Sequence, residues 1–516
     1  MKKIVAMGTA VALAASMFAA QPAANPQVLD FNGNASVEWG VDLDAGKTGF
    51  KNTQEASIKA KLFDGGDKAT SGDGVWAELK IVADTKDNEY KDEGTGAVEI
   101  KAPKVDTAKI HIYNFYVGIQ KGDTQTGEFK PQAAIVSDKA WLGNVGPAGF
   151  TQGLVFGYDD SNINAAVDFR SFKDTSKDSS TQYTNAYAIA AEATMKDANE
   201  WVEGLEVKGG VSYNLSKNYY KSAAGVATKA PVIADIKIDG KEASVDNEIG
   251  YSTSVAYKVS LNDKYYVKPM AGFVGTVDKG KVMSWDFTNV SNEFVASVLF
   301  GWGAQADANA GVPFLDGDDA KKVTPGVSVV FTMPLPTKVT MGSNDMSVYD
   351  SVIAKIVPSI YSGDIVDGLK FGAYSEIILM RDEAEAGSDY MKEACVNKDR
   401  ATAIAIAAGA SYDVKAGDVT ITTKAGARYA NKAYKENNFI DKKEAKEVGL
   451  FKDLGYAKDD EGYLNLKIGA DINGLLDNTT FFVNYTSANL LNETDYADDY
   501  YAVKAGTLNV GAKIHF

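Results

Sequence analysis

From residue 28 onward, apolar and polar residues alternate with a period of two. Ala35, Val37, Trp39, Val41 and Leu43 share one face, as do Val75, Ala77, Leu79, Ile81 and Ala83. The same spacing returns at Leu205, Val207, Val211 and Tyr213, and in a long hairpin turning at Asn262 and Asp263. It closes the chain as Leu508, Val510, Ala512, Ile514 and Phe516. Each segment spans roughly 9–13 residues, the length a tilted strand needs to cross the hydrocarbon layer. Soluble sandwiches also alternate, but a series of about 18–20 such segments with no comparable helical run predicts something larger. The expected fold is all-β: a large antiparallel transmembrane β-barrel with long extracellular loops. Its last strand is the expected assembly signal, read by barrel-assembly machinery, with one face toward outer-membrane lipid.

The links carry a second pattern. Those at 159–161, 262–263, 362–366, 416–417 and 473–477 are tight, whereas 173–184, 216–247, 278–292, 335–350, 380–400, 431–462 and 487–497 are long and mostly polar. Such barrels have short periplasmic turns and long outer loops. Counting strands back from the C-terminus places every long link in that series outside. Link 303–322 is the exception, long yet on the inner side. Counting forward, parity fails by one within 84–149, which points to a missed strand near 133–136.

Ahead of the first segment, Lys2 and Lys3 precede an apolar run over 4–15 and a cleavage point near Ala19 or Ala20. This reads as a signal peptide over 1–20, with the barrel occupying 21–516. No second apolar run is long enough for a membrane-spanning helix. Alternation dilutes hydrophobicity, so mean hydropathy stays at −0.20. One cysteine, Cys395, excludes a disulfide framework, and a net charge of −16 argues against a nucleic-acid partner.

Catalytic chemistry finds little support. His111 and His515 lie on strands without a nucleophile or metal-ligand spacing, so no catalytic, metal or cofactor site is expected. Asp316, Asp318 and Asp319 lack the remaining calcium-loop spacing and read as an acidic loop. The polar face is more informative. If the apolar face meets lipid, Lys59, Lys61, Lys80, Asp168, Arg170, Lys258, Lys268, Lys424, Arg428 and Lys467 point inward and are the candidate pore lining. Inward bases outnumber inward acids such as Glu38, Glu78 and Glu206, although the chain is acidic. Lys or Arg on the lipid face would cost about 2–4 kcal/mol each near mid-membrane, which explains the partition.

Particular motifs point further. Ser36 to Leu43 reads SVEWGVDL, residues 48–53 read TGFKNT, and residues 74–80 read GVWAELK. Gly157 to Asp160, Asp168 to Phe172 and the Phe-terminated last strand follow the same order. Together they resemble the treponemal major outer sheath protein family (major surface protein or Tpr-like), by motif over about 29–172 and by layout over 173–516. The resemblance implies an abundant, trimeric protein of the outer membrane and cell surface that forms pores and binds host matrix proteins such as fibronectin or laminin. The function expected is a porin passing small hydrophilic solutes. A non-conducting adhesin or structural sheath protein, or a soluble periplasmic β-protein, stands as the alternative.

Overall fold

The computed structural model describes residues 28–43, 47–62, 75–84, 104–121, 132–136, 152–173, 183–215, 244–282, 285–307, 311–315, 322–348, 352–363, 366–380, 402–431, 433–434, 462–487, 489–491 and 506–515. The leader, Cys395, the acidic loop at 316–319 and Phe516 lie outside the described residues, as do the side chains of Lys61 and Arg170.

Twenty-five strands are described. The first five are β1 (Val28–Asp42), β2 (Lys47–Leu62), β3 (Val75–Asp84), β4 (Lys104–Ile112) and β5 (Phe115–Lys121). Then come β6 (Ile135–Val136), β7 (Gln152–Asp159), β8 (Ile163–Lys173), β9 (Tyr183–Met195) and β10 (Leu205–Leu215). The middle holds β11 (Ser244–Tyr257), β12 (Val259–Ser260), β13 (Tyr266–Val282), β14 (Trp285–Gly301) and β15 (Ala306–Asp307). They are followed by β16 (Lys322–Val323), β17 (Gly326–Met341), β18 (Asn344–Val348), β19 (Val352–Tyr361) and β20 (Leu369–Met380). The last are β21 (Ala403–Ala416), β22 (Val419–Asn431), β23 (Gly462–Asn473), β24 (Thr479–Thr486) and β25 (Thr507–His515).

Twenty-two of these form one antiparallel sheet. Because β12 continues β11, and β18 and β19 are two pieces of one strand beside β17, the sheet has 20 positions. It closes on itself: β1 pairs with β2 on one side and with β25 on the other, from Asn34↔His515 to Asp42↔Thr507. Closure removes both edges, the condition for burying backbone N–H and C=O groups in lipid. Among the described residues no helix is long and apolar enough to cross a membrane.

The barrel is inside-out relative to a soluble domain. Val298, Val329 and Ile468 are 50%, 47% and 55% exposed, whereas Glu293, Lys355 and Glu376 are buried. Apolar side chains left on the surface at every second position are a liability in water and an asset in lipid. Trp39, Tyr213 and Tyr429 are outward aromatics near strand ends, where a membrane interface favours them.

Both described chain ends and the tight turns at 113–114, 160–162 and 417–418 share one end of the barrel, the periplasmic end by the rule that inner turns are short. At turn 160–162 the Asp160 carboxylate accepts the backbone N–H groups of Asn162 (2.7 Å) and Ile163 (2.6 Å) and the Tyr158 hydroxyl (2.7 Å). The Ile163 N–H, then the Tyr158 hydroxyl, hold the Asp160 carboxyl below the usual carboxylate range. A depressed value means this stabilisation is present above the ordinary carboxylate range and is lost as pH falls through the lowered value. At neutral pH, Asp160→Ala is expected to speed amide exchange at Asn162 and Ile163, while Asp160→Asn, which keeps an acceptor oxygen, changes it little. Equal exchange in both variants would remove the carboxylate from the turn.

Three expectations need correction. The missed wall strand is β5, next to the strand that carries His111, and residues 133–136 are not in the wall. Ala133, Ala134, Ile135 and Val136 are apolar without alternation because both sides of this strand are buried. Link 303–322 does not hang below the barrel but enters it as β15 and β16. The segments 278–292 and 335–350 are largely strand: β13 and β14 run 17 residues each and β17 runs 16. Strand extending beyond the hydrocarbon layer is free of its alternation, so polar residues there mimic a loop.

Candidate functional site

The lumen holds a second, three-stranded sheet in the order β15, β16, β6. Its strands come from opposite ends of the barrel: β6 from the outer link between β5 and β7, β15 and β16 from the periplasmic link between β14 and β17. Lys322↔Val136 and Val323↔Ile135 join the two, and the Thr324 N–H donates to the Ala134 carbonyl (2.7 Å).

A row of wall serines satisfies the backbone on the other side. The N–H groups of Gln132, Ala134 and Ile135 donate to Ser297 Oγ (3.0 Å), Ser328 Oγ (2.8 Å) and Ser359 Oγ (3.2 Å) on β14, β17 and β19. The Ser328 and Ser359 hydroxyls also bond each other at 2.7 Å. A buried strand with orphaned N–H groups would be costly, and three hydroxyls at fixed register remove much of that cost. Around them Ala133 and Val136 pack with Met270, Val274, Val295, Val330 and Val357. Ala134 and Ile135 join Leu299, Val312, Leu315, Tyr374, Ile378 and Ala405.

One side of the lumen, from β13 to β22, is therefore an apolar core. The signal was in the sequence: 294–300 (FVASVLF), 327–331 (VSVVF) and 403–408 (AIAIAA) are small or apolar on both faces. Such strands are covered on both sides. An ion pair is sunk in this core. Lys355 Nζ lies 3.0 Å from Glu376 Oε2, which also accepts the Tyr434 hydroxyl at 2.9 Å. Tyr434 belongs to the link after β22, and its N–H donates to Asn431 Oδ1 (2.9 Å).

Further charged groups gather on the rest of the wall and at the borders of this side, on β13 and β22. Lys59 Nζ is 3.3 Å from Glu78, whose other oxygen is 3.7 Å from His111 Nε2. His111 stacks on Trp76 with ring centroids 3.8 Å apart. Lys109 Nζ stands 4.6 Å over the Tyr116 ring. Near the periplasmic end, Lys268 bridges Glu206 (2.8 Å) and Asp197 (3.1 Å), and Lys208 pairs with Glu206 (2.7 Å). Lys424 pairs with Asp471.

The ten candidate lining residues thus fall into three groups. Asp168, Lys268 and Arg428 are 2%, 7% and 7% exposed, too buried to be open wall. Lys59 and Lys258 are exposed, Lys258 with its Nζ 4.7 Å over the Tyr266 ring, while Lys80, Lys424 and Lys467 are half-buried. Lys61 and Arg170 are placed by their backbone alone. Among the described residues no group of three His, Cys, Asp or Glu could hold a metal ion.

No protein-family model matches the chain. It is 28% identical to the major outer membrane protein MspA of Treponema maltophilum, with 100% of both chains covered. It is 27% identical, with the same coverage, to the major surface protein MspTL of Treponema lecithinolyticum. Among solved structures, OprD of Pseudomonas aeruginosa aligns over 95% of each chain at 8% identity with a TM-score of 0.35. A Rh. blastica porin aligns over 95% of this chain and 100% of its own at 10% identity and 0.31. The barrel itself rests on the closed strand pairing above, not on those superpositions. With that barrel and end-to-end similarity to two treponemal surface proteins, the chain is a relative of the major outer membrane and major surface proteins of Treponema, located in the outer membrane at the cell surface.

Proposed function

We propose that this outer-membrane barrel is a diffusion porin. Small hydrophilic solutes pass through the part of the lumen away from the inner sheet, where Lys59, Lys80, Lys258, Lys424 and Lys467 line the path together with Lys61 and Arg170. One observation carries the reading: a wall of 20 strands, too wide for its own side chains to fill, with its apolar filling on the β13 to β22 side and charged groups along the rest of the wall and at the borders of that side. Inward bases outnumber inward acids, and in a screened channel the nearest charges dominate. A folded, reconstituted sample is expected to give steady conductance steps, with a reversal potential in a salt gradient showing modest anion preference. Clear cation selectivity would overturn the assigned lining.

A second reading is a closed surface protein, favoured by the inner sheet and the buried residues 312–315 and 433–434. Conductance silence from a barrel that still shifts on heating would select it. Binding of host matrix by the outer loops, with fibronectin or laminin as partners, follows from the family resemblance, as do the homotrimer and insertion by barrel-assembly machinery. Saturable binding of fibronectin or laminin to the folded protein tests the first, and cross-linking in membranes tests the trimer.

A further inference from the structure

We propose that residues 312–315, brought into the lumen from the periplasmic end, are the plug that sets the width of the passage, and that Gly372, Gly409 and Gly426 are its seat. The consequence for solutes rests on the diffusion reading above. The seat itself rests on register and packing.

Gly372 pairs with Gly409, and Gly409 pairs with Gly426, so the three lie in one straight row across β20, β21 and β22. They share the inward parity of the buried Tyr374, Glu376 and Arg428. Each is in contact with the plug. A Cβ on Gly372 would strike Leu315. One on Gly409 would strike the Pro313 carbonyl oxygen and crowd Val312 Cγ1 at 3.1 Å. One on Gly426 would stand 2.8 Å from Pro313 Cβ and 2.9 Å from Phe314 Cδ2. Glycine weakens a strand interior and usually marks close approach of another backbone. Three in register beneath one tetrapeptide make a groove fitted to it.

The plug is held in a conformation it would not choose alone. Phe314 has φ 64°, a left-handed backbone that bulky residues rarely adopt. Its ring lies under the Arg428 guanidinium at 4.2 Å, and Val312 and Leu315 have no exposed surface. Strain of this kind persists where surroundings over-determine it, and it clusters at functional elements. The wall beneath is built from the smallest residues, Gly372, Ala405, Ala407, Gly409 and Gly426. The wall contributes little bulk of its own there, so the insert does the narrowing. Leu315 and Ile135 lie in the same buried cluster, and β16 pairs with β6, so the outer insert braces the periplasmic one.

The test replaces residues 309–320 of the full chain with a short Gly-Ser linker. A second protein, G409V/G426V, keeps the insert but fills its seat. Both are compared with the natural chain by planar-bilayer conductance and by swelling of liposomes in graded sugars, after a heat-shift gel confirms a folded barrel. Emptying one side of the lumen should raise single-channel conductance roughly twofold or more and admit larger sugars. If the linker protein does not fold, the seat variant alone is expected to exceed the natural conductance. Unchanged steps from a folded variant, beside a conducting natural chain, overturn the plug and leave the porin reading intact. A silent natural chain with a conducting variant supports the plug and overturns open diffusion. Silence from both overturns both.

Discussion

A chain ending before residue 507 is expected to give no heat-modifiable barrel and to be degraded or to aggregate during export. Strand β25 pairs with β24 from Thr479↔Ile514 to Thr486↔Thr507, and with β1 over the nine positions from Asn34↔His515 to Asp42↔Thr507. Its loss exposes two facing edges at membrane depth, where each unsatisfied backbone group costs several kilocalories with no water to relieve it. Leu508, Val510, Ala512 and Ile514 are removed from the lipid face at the same time. A milder variant at the same seam gives the scale. Gly511 faces the lumen between Glu38 and Phe482, and a Cβ there would come within 2.6 Å of Phe482 Cζ and press on the Val37 backbone carbonyl. Gly511→Val should therefore fold with about 1–3 kcal/mol less stability, as overpacking does. Gel mobility before and after boiling, with protease resistance in vesicles, reads both proteins. A normal yield of the folded form from the truncated chain would mean that β1 and β24 can close without β25.

What the sequence made legible follows from which solvent does the sorting. Lipid tolerates little but apolar side chains, so Val37 to Leu43, Val75 to Ala83 and Leu508 to Ile514 keep strict alternation and stand out. The lumen sets no comparable rule. An inward position carries lysine where water stands against it, as at Lys59, and valine or leucine where an insert does, as at Val295 and Leu299. The second kind erases alternation, and 294–300 then reads like any strand buried on both faces. The glycine row was hidden for another reason. Gly372, Gly409 and Gly426 lie 37 and 17 residues apart in the chain, and only the register of β20, β21 and β22 aligns them. Strand β5 was missed because it is just seven residues long. The candidate lining was legible as a face and not as an environment, since parity places Lys268 and Arg428 inward without revealing that partners bury them.

Lys355→Met is expected to cost about 3–5 kcal/mol in denaturant unfolding from micelles or vesicles, because it strands a buried carboxylate. Lys355 and Glu376 face each other from β19 and β20 with side chains 6% and 3% exposed, and Tyr434 donates the third contact. Glu376→Gln should also destabilise, by removing the carboxylate charge 3.0 Å from the Lys355 ammonium. The double variant Lys355→Met/Glu376→Leu should recover most of the loss, since replacing a whole buried pair by apolar groups is often neutral or better. Tyr434→Phe isolates the hydroxyl's bond to Glu376. Deleting a hydrogen bond to a charged group costs roughly 1.5–3 kcal/mol. Tyr434 would then be held less firmly, so Tyr434→Phe should speed proteolysis near residue 434 in intact cells while the barrel stays folded. A Lys355→Met protein within about 1 kcal/mol of the natural chain would show that water reaches this pair, against the sealed side of the lumen on which the plug depends.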